Sequence, residues 1–357
     1  MSPPEPPHVP GVLSRDDVTR SAGYLLACQE PSGAIPWFRG GHVDPWDHVE
    51  CAMALSVAGH VEAAERAYDW LAAVQGPDGA WPAKIRQGRP VPGPREANHA
   101  GYLAVGVWHH LLITGDTAFA ERLWPAVQAG IGFVLGLRTG RGEILWARDA
   151  HGRPGDHALL TGSASLHQAL RCATALAERL DRPQPDWELA AARLGHLIAE
   201  HERVFADRGR FSMDWYYPIL GGAVRGERAA ERLRERWDTF VVPGLGIRCV
   251  SDQPWVTGAE TSELVIALAA IGEVEQATRL FGDIQHLRDA DDGAYWTGYQ
   301  FAEDVNWPVE RSTWTAAAVI LAADALSGAT PGARVFTDAP ADVTPTDPES
   351  CGCAVRV

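Results

Sequence analysis

The feature that most constrains this chain is a regular alternation of helical stretches with connections of two lengths. Apolar residues recur at i, i+3, i+4 and i+7 in twelve stretches: Asp16–Gln29, Trp46–Gly59, Val61–Gln75, His99–Gly115, Thr117–Gly136, Ser163–Leu180, Trp187–Phe205, Trp215–Arg225, Glu227–Val241, Glu260–Gly272, Val274–Arg288 and Thr313–Leu326. Tight turns such as Ala58-Gly59-His60, Thr114-Gly115-Asp116 and Ile271-Gly272-Glu273 join helices within a pair. Long loops join one pair to the next. A helix pair repeated about every 50 residues cannot bury its apolar face alone, so it stacks on its neighbours. Six pairs predict an all-α chain closed into one (α/α)6 toroid.

Such a ring has a blunt rim of short turns and an elaborated rim of long loops, and loops held by a rigid scaffold tend to carry function. The toroid is assigned to residues 14–327. Residues 1–13 form a Pro-rich arm, and residues 328–357, rich in Pro, Asp, Thr and Ala, are expected to be a disordered tail. The apolar share of 46% is ample for a ring-shaped core.

The net charge is −15, and Lys84 is the only lysine. An acidic surface repels phosphate backbones and anionic lipid, which argues against nucleic-acid and membrane partners. No stretch reaches 18 apolar residues, and the proline-rich start lacks the apolar core of a signal peptide, so a cytoplasmic location is expected. Cys28, Cys51, Cys172 and Cys249 lie in or beside apolar helices and read as reduced core residues. Cys351 and Cys353 fall in the tail. No metal and no cofactor is expected.

The second helix of each linkage, taken as the inner one, starts just after a long loop, and these starts differ from the rest of the chain. They hold Trp46, Asp47, His48 and Glu50; then Glu96, Asn98 and His99; then Asp214, Trp215, Tyr216 and Tyr217. The last two hold Trp255, Glu260 and Glu263, then Trp307, Glu310 and Arg311. Acids at helix N-termini are commonly caps that complement the macrodipole. Capping does not explain the Trp and Tyr beside them. Aromatic faces with acids and amides suit a sugar-binding cleft. Of the 14 tryptophans, Trp70, Trp108, Trp124 and Trp237 lie within helical stretches and read as core.

Glycoside hydrolysis needs two carboxyls across the bond, one protonated to assist the leaving group and one ionised. Asp47 on the first inner helix and Glu260 on the fifth are the expected pair, on opposite walls, with inversion as the favoured outcome. Glu263 lies one turn deeper than Glu260, and Glu310 beside Arg311 is the third candidate.

Gln75-Gly-Pro-Asp-Gly79-Ala-Trp81 and Asp289-Ala-Asp291-Asp292-Gly293-Ala-Tyr295-Trp296 resemble the Gln–Trp repeats of the squalene-cyclase and prenyltransferase superfamily. That resemblance implies the toroid. It also raises an alternative, a prenyl-handling or terpene-cyclase-like toroid using Asp289–Asp292, because Asp-x-Asp-Asp is the proton donor of one cyclase class. The acids sit in the repeat's own turn, in register with Asp78, which counts against it. A non-catalytic carbohydrate-binding toroid is the other alternative. Pro45-Trp46-Asp47-His48, Trp255-Val-Thr-Gly-Ala-Glu260-Thr-Ser-Glu263 and Asn306-Trp307-Pro-Val-Glu310-Arg311-Ser-Thr-Trp314 resemble an actinobacterial group labelled prenyltransferase-like and similar to the methylmannose polysaccharide hydrolase. This implies endo-hydrolysis of an α-1,4-mannoside chain that carries methyl groups.

Overall fold

The computed structural model describes residues 5–338. Twelve long helices form the body: α1 Arg15–Cys28, α2 Pro45–Val57, α3 Val61–Ala73, α4 Ala97–Thr114, α5 Thr117–Leu135, α6 Leu160–Arg179, α7 Pro185–Glu200, α8 Ser212–Leu220, α9 Gly226–Phe240, α10 Gly258–Ala270, α11 Val274–Asp283 and α12 Thr313–Ser327. The even-numbered helices touch one another in the order α2, α4, α6, α8, α10, α12 and back to α2, a closed inner ring. Each of the first five packs on the helix that follows it, and α12 packs on α1, so the first and last helices close the toroid.

Burial separates the two layers. Every residue of α2 is buried, because an inner helix meets neighbours on both flanks and a partner behind. Outer helix α11 buries only Ala277, Leu280 and Phe281 along one stripe. All six inner helices begin after the long loops, so their N-termini share one rim.

The Gln–Gly repeats weld neighbouring pairs together. Gln75 Nε2 donates to the carbonyls of Gly79 (2.8 Å) and Ala126 (2.9 Å), tying its own turn to α5. Gln29 does the same to Gly33 and Ala63 of α3. Gly79 has φ +86, and a Cβ there would stand 2.1 Å from the Ala129 carbonyl oxygen, so only glycine allows this approach. Gly293 presses on Arg20 of α1 in the same way, at the ring closure.

Several helices start earlier than the periodicity suggests. The first turns of α4 and α10 are built from small or polar residues such as Ala97, Asn98, Gly258 and Ala259, which carry little apolar signal, and those of α6 and α8 hold one apolar residue each, Leu160 and Met213, too few to show a period. The long loops add short strands that the helical reading did not foresee. Five of them, Val241–Val242, Gly246–Arg248, Trp255–Thr257, Gly298–Gln300 and Val305–Asn306, pair antiparallel in that order and pack on α9, α10 and α11.

The expected tail needs correction at its start. Pro331–Ala333 and α13 (Arg334–Thr337) are folded and pack on α4, α10 and α12, with Phe336 buried. Thr330 donates to Asp324 through its amide (2.8 Å) and hydroxyl (2.7 Å). Gln168 and Arg225 donate to the carbonyls of Val335 and Phe336. This segment closes the end of the inner ring opposite the long loops. Residues 339–357, with Cys351 and Cys353, lie outside the described part. The N-terminal arm is likewise seated by Val9 and Leu13, both buried. Phe336→Ala is expected to cost about 3–5 kcal/mol by opening a cavity. Denaturant unfolding measures it, and a loss below about 1 kcal/mol would show that the plug contributes little.

Cys28, Cys51, Cys172 and Cys249 are free thiols, the first three buried. No single helix among the described residues is long and apolar enough to cross a membrane.

Candidate active site

The site is built at the inner rim. Asp44 N-caps α2, its Oδ1 accepting the amides of Trp46 (2.8 Å) and Asp47 (3.4 Å), and Pro45 fixes the first turn. That places Asp47 third in α2. Glu260 holds the same place in α10. Both are buried. Around the ring α12 stands between α2 and α10, so the two acids come from non-adjacent inner helices on either side of α12.

Glu50, one turn below Asp47, is the floor. Its Oε1 accepts from Trp46 Nε1 (3.1 Å) and the Tyr102 hydroxyl (2.8 Å), and its Oε2 from Trp314 Nε1 (2.7 Å). Trp46 stacks on Tyr102 with centroids 4.2 Å apart, and Tyr217 approaches its other side at 6.0 Å. Glu263 lies one turn deeper than Glu260, as its spacing implied. It accepts hydroxyl hydrogen bonds from Tyr216 and Tyr217. Helices α2, α4, α8, α10 and α12 therefore converge on four buried carboxyls.

Those carboxyls repel one another in a dry setting. Burial pushes Asp47 well above the ordinary carboxylate range, and the charges of Asp44, Glu50, Glu263 and Glu260 push the same way. Glu263 is pushed well up by burial and then by Glu50, against the pull of its two tyrosines. Burial raises Glu50, and its three donors oppose the rise. Burial raises Glu260 too, with Thr257 and the Cys249 thiol beside it opposing. Glu50 and Glu263 are held by tyrosine and tryptophan donors, whereas no hydrogen bond from the described residues fixes the carboxyl of Asp47 or of Glu260.

His99 on α4 faces the rim acids, its Nε2 3.6 Å from Asp44 and 3.7 Å from Glu96. Trp255 and Trp307 meet edge to face at 4.8 Å on the five-stranded sheet, with Trp255 Nε1 donating to the Trp307 carbonyl (2.7 Å). Glu310 accepts from Trp37 Nε1 (2.8 Å), and the Trp37 ring lies 5.8 Å from that of Trp314.

Five expected site residues have other duties. His48 points outward, bonded to the Ile35 amide and the Ala67 carbonyl, and burial holds its pKa down at about 4, so it is a neutral strut between α2 and α3. Asp214 accepts from the Thr161 amide and hydroxyl at the start of α6. Trp215 is buried against Phe240 and Trp237, its indole donating to Arg232. Asn98 turns towards Trp146 and Leu159, between α4 and α6. Arg311 pairs with Asp289 and Asp292, both at 2.9 Å, beside outer helix α1. Asp289 and Asp292 of the Asp-x-Asp-Asp run are thus tied up in ion pairs in their turn at the ring's closing seam, beside outer helix α1 and not among the inner-rim acids, which counts against the cyclase alternative.

Tyr102, Trp314 and Trp37 escaped the sequence reading. Tyr102 was findable, lying three residues beyond His99 on the same helical face. Trp314 lay inside a quoted motif but within an apolar run, where it looked like core. Trp37 carried no signal beyond its place in a repeat loop.

Comparison with known proteins places this geometry. No family model matches the chain. It is 55% identical over 330 residues, 92% of this chain and 91% of the relative, to the MMP endo-(1,4)-3-O-methyl-alpha-D-mannosidase of Mycolicibacterium hassiacum. Among solved structures, a glycosidase in complex with glucose superposes with a TM-score of 0.71 at 18% identity, covering 88% of this chain and 97% of its own. A bacterial glucoamylase complexed with acarbose gives 0.67 at 16%, covering 89% and 56%. A D-mannose isomerase gives 0.68 at 9%, covering 87% and 96%. At these identities the structures establish the shared fold.

Proposed function

Since the chain belongs to the family of the MMP endo-(1,4)-3-O-methyl-α-D-mannosidases and is a glycoside hydrolase, we propose that it cleaves internal α-1,4 bonds of a 3-O-methylated mannan, with Asp47 as general acid and Glu260 as general base. The observation that carries the reading is the asymmetry of the two acids. Asp47 is buried and ringed by Asp44, Glu50, Glu263 and Glu260, and both the burial and those charges push its carboxyl well towards the protonated form an acid needs. Glu260 is raised by burial as well but less far than Asp47, with Thr257 and the Cys249 thiol nearby opposing the rise.

In this mechanism Asp47 gives its proton to the glycosidic oxygen as the C–O bond breaks. Glu260 takes a proton from water as that water attacks the anomeric carbon from the other face, inverting it. Glu50 and Glu263 push Asp47 towards its protonated form and hold Trp46, Tyr102 and Tyr217 as walls for the sugar ring.

The test is wild-type protein on a panel of α-glycans that includes 3-O-methylated α-1,4-mannan, reading product length and anomeric configuration. Internal shortening with β-configured new ends is expected. No product from any mannan would overturn the activity, and α-configured ends would overturn the inversion.

A further inference from the structure

Outside the acid basin, at the seam where α1 meets α12, runs a groove of about 830 Å³, within the usual range of ligand sites. Tyr24, Phe38 and Val309 form its apolar wall, and Arg39, Asp291 and Asp292 its polar edge. Glu310 is the wall it shares with the basin. It lines the groove, and its carboxylate takes the Trp37 indole, which leads through Trp314 to Glu50. The groove thus lies beside the basin, joined to Glu50 through the two packed tryptophans.

The exposure of its wall needs a reason. Val309 is 85% exposed, and Trp307 and Val305, within the same five residues, are 50% and 47% exposed. Large apolar side chains crowded into solvent at the edge of a site mark a contact surface. The wall is held in place, because the Tyr24 hydroxyl donates to the Arg311 carbonyl (2.5 Å) and Arg311 is locked by its two aspartates. An unsubstituted sugar chain, hydroxylated throughout, gains little from such a surface. A chain bearing methyl ethers gains at every group that leaves water.

We infer that this groove is a distal subsite that takes 3-O-methylated mannose units beyond the bond being cleaved, with Phe38 and Val309 contacting the methyl groups. The inference rests on the reaction proposed above. It assigns endo-action a physical basis, since a chain engaged both in the basin and along the groove is cut internally.

The experiment uses the full chain and its Val309→Asp and Phe38→Ala variants. Val309 is so exposed that its replacement does not threaten folding. The substrates are long and short 3-O-methylated α-1,4-manno-oligosaccharides and a long unmethylated one. The ratio of kcat/KM for long over short methylated chains is expected to fall about tenfold in each variant, mainly through KM. The preference for methylated over unmethylated long chains should fall with it. An unchanged length ratio in both variants, or equal losses on methylated and unmethylated long chains, would overturn the inference while leaving the reaction standing. Wild-type inactivity on every mannan would sink the reaction and the groove with it.

Discussion

Asp47→Asn and Glu260→Gln are each expected to lower kcat on methylated mannan by about 10³-fold, the usual loss for a general acid or base, while Asp47→Asn melts no lower than the wild type at neutral pH. The two halves of that result have one cause. Asp47 is crowded by carboxylates and served by no donor from the described residues, so at neutral pH the fold holds a group that the unfolded chain would ionise more readily, a cost carried for chemistry. Its folded pKa lies above the ordinary value of 3.8. Stability linked to its proton is therefore complete below about pH 3.8 and is lost as pH rises through the higher folded value. An amide of the same shape removes that loss. The melting difference between variant and wild type should be positive or zero at neutral pH and shrink towards pH 4. A variant that melts several degrees lower at neutral pH would show that the carboxylate is stabilised by something else. Retained turnover in both variants would remove the assignment altogether.

Much of the toroid was legible because its signals are local. Helix period, turn glycines and the Gln-to-Gly spacing all lie within a few residues, and the structure shows Gln75 and Gly79 doing the joining that their repetition implied. The site was legible only in part. A position near an inner N-terminus specifies the rim, not the direction of the side chain. Asp47 and His48 are adjacent, yet a step of about 100° around the helix sends one to the basin and the other to α3. Trp215 and Tyr216 part in the same way, one to the outer layer and one to Glu263. The short strands and the folded plug at Phe336 rest on contacts between distant segments, which carry no periodic mark.

Glu50→Gln separates the role of the floor from that of the acid above it. The carboxylate serves three buried donors, Trp46, Tyr102 and Trp314, and a carboxamide oxygen serves at most the two that share Oε1. Trp314 Nε1 then faces an NH2 group, and one orphaned buried donor costs about 1–3 kcal/mol. Thermal or denaturant unfolding should show that loss, opposite in sign to the effect at Asp47. The variant also removes a negative charge that raises Asp47. Asp47 then gives up its proton more readily, and because the acid works only while protonated, the alkaline limb of kcat/KM moves to lower pH, by about 1 unit. The acidic limb, set by Glu260, should move far less, since the groups opposing its rise are Thr257 and Cys249. An alkaline limb that stays in place would mean that Asp47 is not the proton donor. A limb that shifts without any loss of stability would mean that the three donors find other partners, and that the floor acts through charge alone.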